Sequence, residues 1–290
     1  MASPLPICYL NGAFLPIGEA RISPFDRGFL FADGAYEVMP VYAGRPFRFE
    51  SHCARLARSL EALAMEDPLG AAGWRDLIAK LIDANGAADQ YVYWQVTRGA
   101  ELGRNHAPLP TLPRTVFAFA APLPTTAPAE LERGLACITA ADTRWARCDV
   151  KSIALLANVL LRQLAVDAGT AETILIKDGE LTDASASAVH VIIDGELRTP
   201  PRSPRLLPGT TRSVIEELAD RIGLAHRSAR VPETDLRGAE EIWLSAATRE
   251  VVPVTRLDGR TVGSGSPGPI WRRMYAALQD YKRELAGQPW

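Results

Sequence analysis

The stretch Arg144-Trp-Ala-Arg147-Cys-Asp-Val-Lys151-Ser-Ile-Ala-Leu-Leu156 delivers one lysine from an apolar-tinged run straight into a helical pattern. Behind Lys151, residues Ile153, Leu156, Leu160 and Leu164 recur at helical spacing. That spacing predicts an amphipathic helix over 152–168 with this line against a core. Lys151 is then expected at the rigid start of a packed element. A lysine held near apolar groups and a second cation loses proton affinity, which is the condition for Schiff-base chemistry. The same position also suits an ordinary first-turn lysine whose ammonium reaches water.

Outward from this stretch, strand-like runs appear at 36–42, 91–97, 115–120, 135–139, 173–177, 189–193 and 241–245. Helical patterns lie at 50–65, 74–84, 211–222 and 269–285. In the first of these, Cys53, Leu56, Leu60 and Leu63 form the buried stripe, with Arg55, Arg58 and Glu61 off it. Hairpin turns are signalled by Asp178-Gly179 and Asp194-Gly195. Strands grouped between single helices predict an α+β fold rather than a doubly wound parallel sheet. The run Ala121-Pro-Leu-Pro-Thr-Thr-Ala-Pro-Ala129 holds three prolines and reads as a linker. It separates an N-terminal domain, 1–120, from a C-terminal domain, 130–290.

With 290 residues and 47% hydrophobic composition, the chain can bury one large core or two medium ones. Its formal charge of -2 and lack of like-charge runs point away from nucleic acid and membrane surfaces. No apolar stretch approaches the roughly 18 residues of a membrane span. The opening Met1-Ala-Ser-Pro-Leu-Pro has no secretion pattern, so a cytoplasmic protein is expected. Cys8, Cys53, Cys137 and Cys148 show neither paired nor metal-like spacing and read as reduced, packed thiols. Neither do the four histidines stand at metal-ligand spacing, and no metal is expected.

Four further segments carry chemistry. In Leu206-Leu207-Pro-Gly209-Thr210-Thr211-Arg212, a glycine and two hydroxyls open a helix, which suits a phosphate or a plain threonine cap. Arg55 is a cation that could join such a site or simply be solvated. Asp183, followed by small residues between two strands, can face a ring nitrogen or cap a turn. Arg104 and His106, two apart after the strand over 91–97, leave an extended stretch on one face. They form a fork for a carboxylate or a basic surface loop. By contrast, Gly263-Ser-Gly265-Ser-Pro-Gly268 matches a dinucleotide fingerprint only by letter. No strand leads into it, and Pro267 interrupts it, so it reads as a turn before the last helix.

In this order the segments resemble the fold-type IV pyridoxal-phosphate aminotransferases, and within them the D-amino acid branch. Asp26-Arg-Gly-Phe-Leu-Phe-Ala-Asp-Gly34-Ala-Tyr36-Glu-Val38 looks like the family's opening signature, and the likeness runs from about Phe25 to Tyr281. The resemblance implies two domains built on β-sheets with helices, the C-terminal one a pseudo-barrel. It implies pyridoxal 5'-phosphate on Lys151, which also shuttles the proton. Arg55 then takes the cofactor phosphate with Leu207, Gly209, Thr210 and Thr211, and Asp183 the pyridine nitrogen. Tyr36, Arg104 and His106 take the substrate α-carboxylate.

The implied reaction moves the amino group of a D-amino acid of the D-alanine type to a 2-oxo acid such as 2-oxoglutarate, in a ping-pong cycle. Its products are pyruvate and D-glutamate, the latter for cell-wall peptidoglycan, and the implied assembly is a homodimer. A branched-chain L-amino acid or (R)-amine transaminase is the alternative on this scaffold. An aminodeoxychorismate lyase or a non-catalytic cofactor-binding protein stands further off. Arg104 and His106 favour the D-specific reading. Two departures stand out: Asp183 replaces the family's usual Glu, and Ala184-Ser-Ala-Ser-Ala188 replaces a run with Gly, more serine and Asn.

Overall fold

The computed structural model describes residues 3–86 and 88–286. The chain forms two compact units that part between Pro124 and Thr125. The second holds Thr125–Asp149 and Leu156–Glu284, while Val150–Leu155 returns to the first, so the chain crosses between units more than once.

The first unit is an antiparallel sheet of β1 (Ile7–Leu10), β2 (Ala13–Pro16), β3 (Gly34–Tyr42), β4 (Arg45–Pro46), β5 (Gln90–Thr97) and β6 (Thr115–Pro122). Their order is β2-β1-β6-β5-β3-β4. Alternation along the three central strands decides which face is covered. Ala35, Met39 and Val41, with Val92, Trp94 and Val96 and with Val116, Ala118 and Ala120, are buried against α2 (Phe49–Ala62) and α3 (Gly70–Asn85). The opposite face carries Tyr36, Tyr91, Tyr93, Phe117 and Phe119, all half-buried. Tyr93 stacks on Tyr36 at 5.5 Å and on Phe119 at 5.1 Å. A short helix α1 (Arg27–Phe31) precedes β3. It is capped by Asp26, whose carboxylate accepts from the Gly28 N–H and the Thr97 and Thr115 hydroxyls.

The second unit is a mixed sheet. Its strands are β7 (Leu135–Ala141), β8 (Glu172–Lys177), β9 (Glu180–Ala184), β10 (Ala188–Ile193), β11 (Glu196–Thr199), β12 (His226–Ser228), β13 (Glu241–Ala246), β14 (Glu250–Leu257) and β15 (Arg260–Thr261). The order is β12-β11-β10-β13-β14-β7-β8-β9, with β15 beside β14. Five helices join it: α4 (Pro128–Arg133), α5 (Leu156–Asp167), α6 (Thr210–Arg221), α7 (Glu233–Arg237) and α8 (Pro269–Ala286). The two hairpins predicted from Asp-Gly pairs are present. Asp178 and Gly179 have φ 54° and 75°, and Asp194 and Gly195 have 54° and 70°, the left-handed pair such turns require. The Gly263–Gly268 stretch is a turn leading into α8, as its sequence predicts. All four cysteines are free and buried.

The expectations around Lys151 and Arg55 need correction. The helix predicted over 152–168 begins at Leu156, so Lys151 does not open it. Nor does the line Leu156, Leu160, Leu164 face a core: these side chains are 72%, 60% and 45% exposed. Leu161 and Ala165, four apart, are buried instead. The helix is apolar on more than one side, and periodicity alone chose the wrong one. Arg55, read as lying off the buried stripe of α2, is in fact 4% exposed. No described helix is long and apolar enough to cross a membrane.

Candidate active site

Lys151 is placed by a strand-like pairing rather than by a helix start. Its carbonyl accepts from the Tyr36 N–H at 3.0 Å, Ser152 bridges to Ala35, and the Ile153 N–H donates to the Gly34 carbonyl at 3.1 Å. The Lys151 N–H donates to Ser59 Oγ on α2. This close approach needs Gly34, because a Cβ there would stand 2.5 Å from the Val96 carbonyl and 3.0 Å from Ile153 Cδ1. The side chain therefore leaves a backbone fixed at both flanks. Lys151 Nζ lies 4.2 Å from the centre of the Tyr36 ring. No carboxylate among the described residues pairs with it.

Beneath Tyr36 on β3 sits Glu37, fully buried on the helix-covered face. Arg55 on α2 donates to it twice, Nε at 2.8 Å and Nη2 at 2.7 Å, and His52 Nδ1 lies 2.7 Å away. Burial alone would raise the Glu37 carboxyl, but the Arg55 guanidinium and His52 outweigh it and hold it at about 2. Burial also lowers His52, although Glu37 pulls the other way. Arg55 is thus a fixed cation in a buried network, with a strand carboxylate setting its orientation. Strand parity was the available signal for Glu37, which shares a face with Ala35, Met39 and Val41 and so demands a buried counter-charge.

Arg104 and His106 lie on an exposed loop after β5, and both converge on Phe31 at the end of α1. The Arg104 guanidinium sits 5.0 Å from the Phe31 ring centre, and the His106 ring is 5.5 Å from it. Tyr36 instead keeps to Lys151 and Tyr93.

In the second unit Asp183 lies near the end of β9, buried. Burial lifts its carboxyl to about 6, even though Arg144 donates to it at 3.1 Å. Arg144 is itself gripped by Asp142 through Nε and Nη2, and the Thr182 hydroxyl donates to Asp142. Sequence reading passed over Arg144 and Asp142. After Asp183, the hydroxyls of Ser185 and Ser187 both turn to Glu172, which is fully buried, and Asn158 donates to the Ser185 carbonyl. The two serines of this segment are therefore spent on holding the turn.

Gly209 is the N-cap of α6 and supplies no side-chain cap, so neither threonine acts as the cap. Thr210 and Thr211 occupy the first turn, buried, with no hydrogen-bond partner for their hydroxyls among the described residues. The first-turn N–H groups and the positive end of the helix dipole are left for an anion. Leu207 and Gly209 also line a cavity of about 220 Å³ with Arg202 and Arg212. Both of those guanidiniums are already turned to Glu216.

Each unit by itself carries groups whose chemistry suits pyridoxal phosphate: the first an amine without an ion pair, the second a buried carboxyl lifted in pKa that a cationic ring nitrogen would return to carboxylate, and an uncapped helix start that suits phosphate. The family model "Amino-transferase class IV" matches residues 34–257. The chain belongs to the class IV aminotransferases and is a pyridoxal-phosphate-dependent transaminase.

Among its relatives, the D-alanine aminotransferase of Bacillus licheniformis is 36% identical over 93% of this chain and 95% of its own length. That of Listeria monocytogenes is 37% identical over 92% of each. Among solved structures, a T.th. branched-chain amino acid aminotransferase with pyridoxamine 5'-phosphate is 26% identical. It superposes with a TM-score of 0.86 over 95% of this chain and 93% of that one. The Escherichia coli branched-chain amino acid aminotransferase, at 23% identity, TM-score 0.88 and coverage of 95% and 94%, shares the fold.

Proposed function

We propose that the chain is a D-amino acid transaminase that takes the amino group of D-alanine and passes it to 2-oxoglutarate, giving pyruvate and D-glutamate. The convergence of Arg104 and His106 on Phe31 carries this reading, because it sets a fork of donors from one loop where a carboxylate can be gripped. The D-alanine aminotransferases support it at 36–37% identity. The branched-chain enzymes resemble the chain less in sequence, at 23–26%.

When bound, pyridoxal phosphate supplies the carbonyl that receives the amino group and the ring that takes up the electrons of the broken Cα–H bond. Lys151 holds the cofactor covalently, then acts as the general base that moves the α-proton. Its backbone, fixed by Tyr36 and Gly34, sets which face that proton leaves from. Asp183 would pair with the ring nitrogen and keep it protonated. Its side chain is one methylene shorter than the family's usual acid, and Arg144 holds it in place. In the first unit Arg55, oriented by Glu37, would hold the cofactor phosphate; in the second the N–H groups and hydroxyls of Gly209, Thr210 and Thr211, with Leu207, would do so. Tyr36, Arg104 and His106 bind the α-carboxylate on the side that presents the hydrogen of a D-enantiomer to Lys151.

A cytoplasmic homodimer belongs to the same reading. Leu156, Val159, Leu160 and Leu164 leave an exposed apolar patch on α5 that a second copy would cover. The test is a single half-reaction series, in which purified loaded enzyme is mixed separately with D-alanine, D-glutamate, L-leucine and L-valine. D-alanine should convert the cofactor fastest. Faster conversion by either L-amino acid would overturn the assignment.

A further inference from the structure

The loop of Arg104 and His106 presents a physical problem. Residues 102–110 are exposed throughout, with Leu102 at 95%, so burial contributes little to holding them. A fork for a carboxylate needs a fixed geometry. Among the described residues, the hydrogen bonds that tie 102–110 to the rest of the chain run to two side chains, Arg27 and Glu101.

Arg27 opens α1, and its side chain is 4% exposed. Nη1 donates to the Asn105 carbonyl at 2.6 Å and to Glu101 Oε1, while Nη2 donates to the His106 carbonyl at 2.9 Å. Nε donates to Asp33 at 2.9 Å, and Asp33 in turn accepts from Arg98. The other oxygen of Glu101 accepts from the Leu109 N–H at 3.2 Å. The guanidinium also lies 4.7 Å from the centre of Phe31, the ring on which Arg104 and His106 converge. Asp33 and Glu101 balance the charges of Arg27 and Arg98, so the cluster is neutral inside. One planar group thus grips the two peptides that flank His106 and braces the ring that the loop's side chains use.

We infer that Arg27 is the positioning residue for the substrate-carboxylate fork, fixing the backbone from which Arg104 and His106 project. This rests on the reading of those two residues as carboxylate ligands. Only a planar fork supplies directed donors to two carbonyls and two carboxylates at once. A lysine ammonium keeps the charge but not the geometry. Arg27 touches neither substrate nor cofactor in this role, so its loss acts on binding of the carboxylate and not on the proton transfer.

The test compares Arg27→Gln and Arg27→Lys with the parent holoenzyme by two readouts. In steady state with D-alanine, both variants should raise KM about 10- to 100-fold while kcat stays within about threefold. In limited proteolysis, trypsin should cut after Arg104 at least about tenfold faster in the variants, with cleavage elsewhere unchanged. Unchanged KM, a fall in kcat without a rise in KM, or an unchanged rate of cleavage after Arg104 would each overturn the inference. Should Arg27→Gln fail to fold, Arg27→Lys and Glu101→Gln carry the same test. Arg104→Ala separates the two levels of the argument. If it leaves D-alanine turnover intact, the carboxylate assignment of the loop is wrong, and the inference goes with it. If it costs D-alanine turnover while Arg27→Gln does not, the inference alone falls.

Discussion

Replacing Asp183 by Asn tests the role proposed for that acid in two states of the protein with opposite expected signs. In the free protein the Asp183 carboxyl is lifted from 3.8 to about 6 by burial, against the pull of Arg144. The folded state thus binds this proton more tightly than the unfolded chain. Stability credited to the protonated acid is whole below the unfolded value and is lost as pH rises towards the folded one. A difference of roughly two units at about 1.4 kcal/mol each makes this loss about 3 kcal/mol, complete once the pH has risen through the folded value of about 6. The amide of the Asp183→Asn variant cannot titrate and escapes that loss.

Denaturant midpoints of both apoproteins, measured from about pH 4 to 7, should therefore diverge in favour of Asp183→Asn as pH rises. With cofactor loaded at about pH 7 the order should reverse: the parent gains a carboxylate opposite a cationic ring nitrogen, and the variant binds pyridoxal phosphate more weakly. Parallel pH profiles of the two apoproteins would refute the electrostatic account of Asp183. Equal cofactor affinity would refute its pairing with the ring.

Lys151→Ala should abolish turnover and the visible absorbance of the bound cofactor, and borohydride followed by peptide mapping should mark Lys151 in the parent. A mark on Lys80 or Lys177 would reassign the site. Glu37→Gln strands the Arg55 guanidinium in the interior and should cost about 3–5 kcal/mol in urea unfolding, whereas a loss below about 1 kcal/mol would show the pair to be incidental. Arg104→Ala should lower kcat/KM for D-alanine about 10- to 100-fold and spare an amine without a carboxylate. Leu160→Asp places a charge on the exposed face of α5 and should shift sedimentation towards the monomer, with no shift if that face is not an interface.

The sequence carried the three central strands of the first sheet, β3, β5 and β6, because one face of each is buried, and it missed the short β1, β2 and β4. It also carried the Asp-Gly hairpins and the start of α6, whose chemistry is local. It failed where the deciding partner is distant along the chain. Arg55 was set on the polar side of α2 because helical periodicity counts a cation as solvent-facing, and only Glu37 on another element makes its burial sustainable. Arg144 gave no local sign of its contact with Asp183, thirty-nine residues on. The leucines of α5 were read as core because an apolar stripe in the sequence looks the same whether its own chain covers it or leaves it exposed. The strand-like residues before α5 were absorbed into the helix, since Ile153 fits its period as well as it fits an extended run.

That extended segment has a consequence for how the protein is made. Tyr36 and Gly34 leave the ribosome more than a hundred residues before Lys151 and Ile153, the partners of their backbone groups. Closing so long a loop comes late in synthesis and at a slowly growing entropic cost. A nascent chain released at Pro124 has every strand of the first sheet, yet lacks the segment that lines β3 beside Tyr36. Lys151 is thus withheld from the first unit until the segment Val150–Leu155 has been synthesised. A product that stops at Pro124 carries every strand of the first sheet and still lacks Lys151.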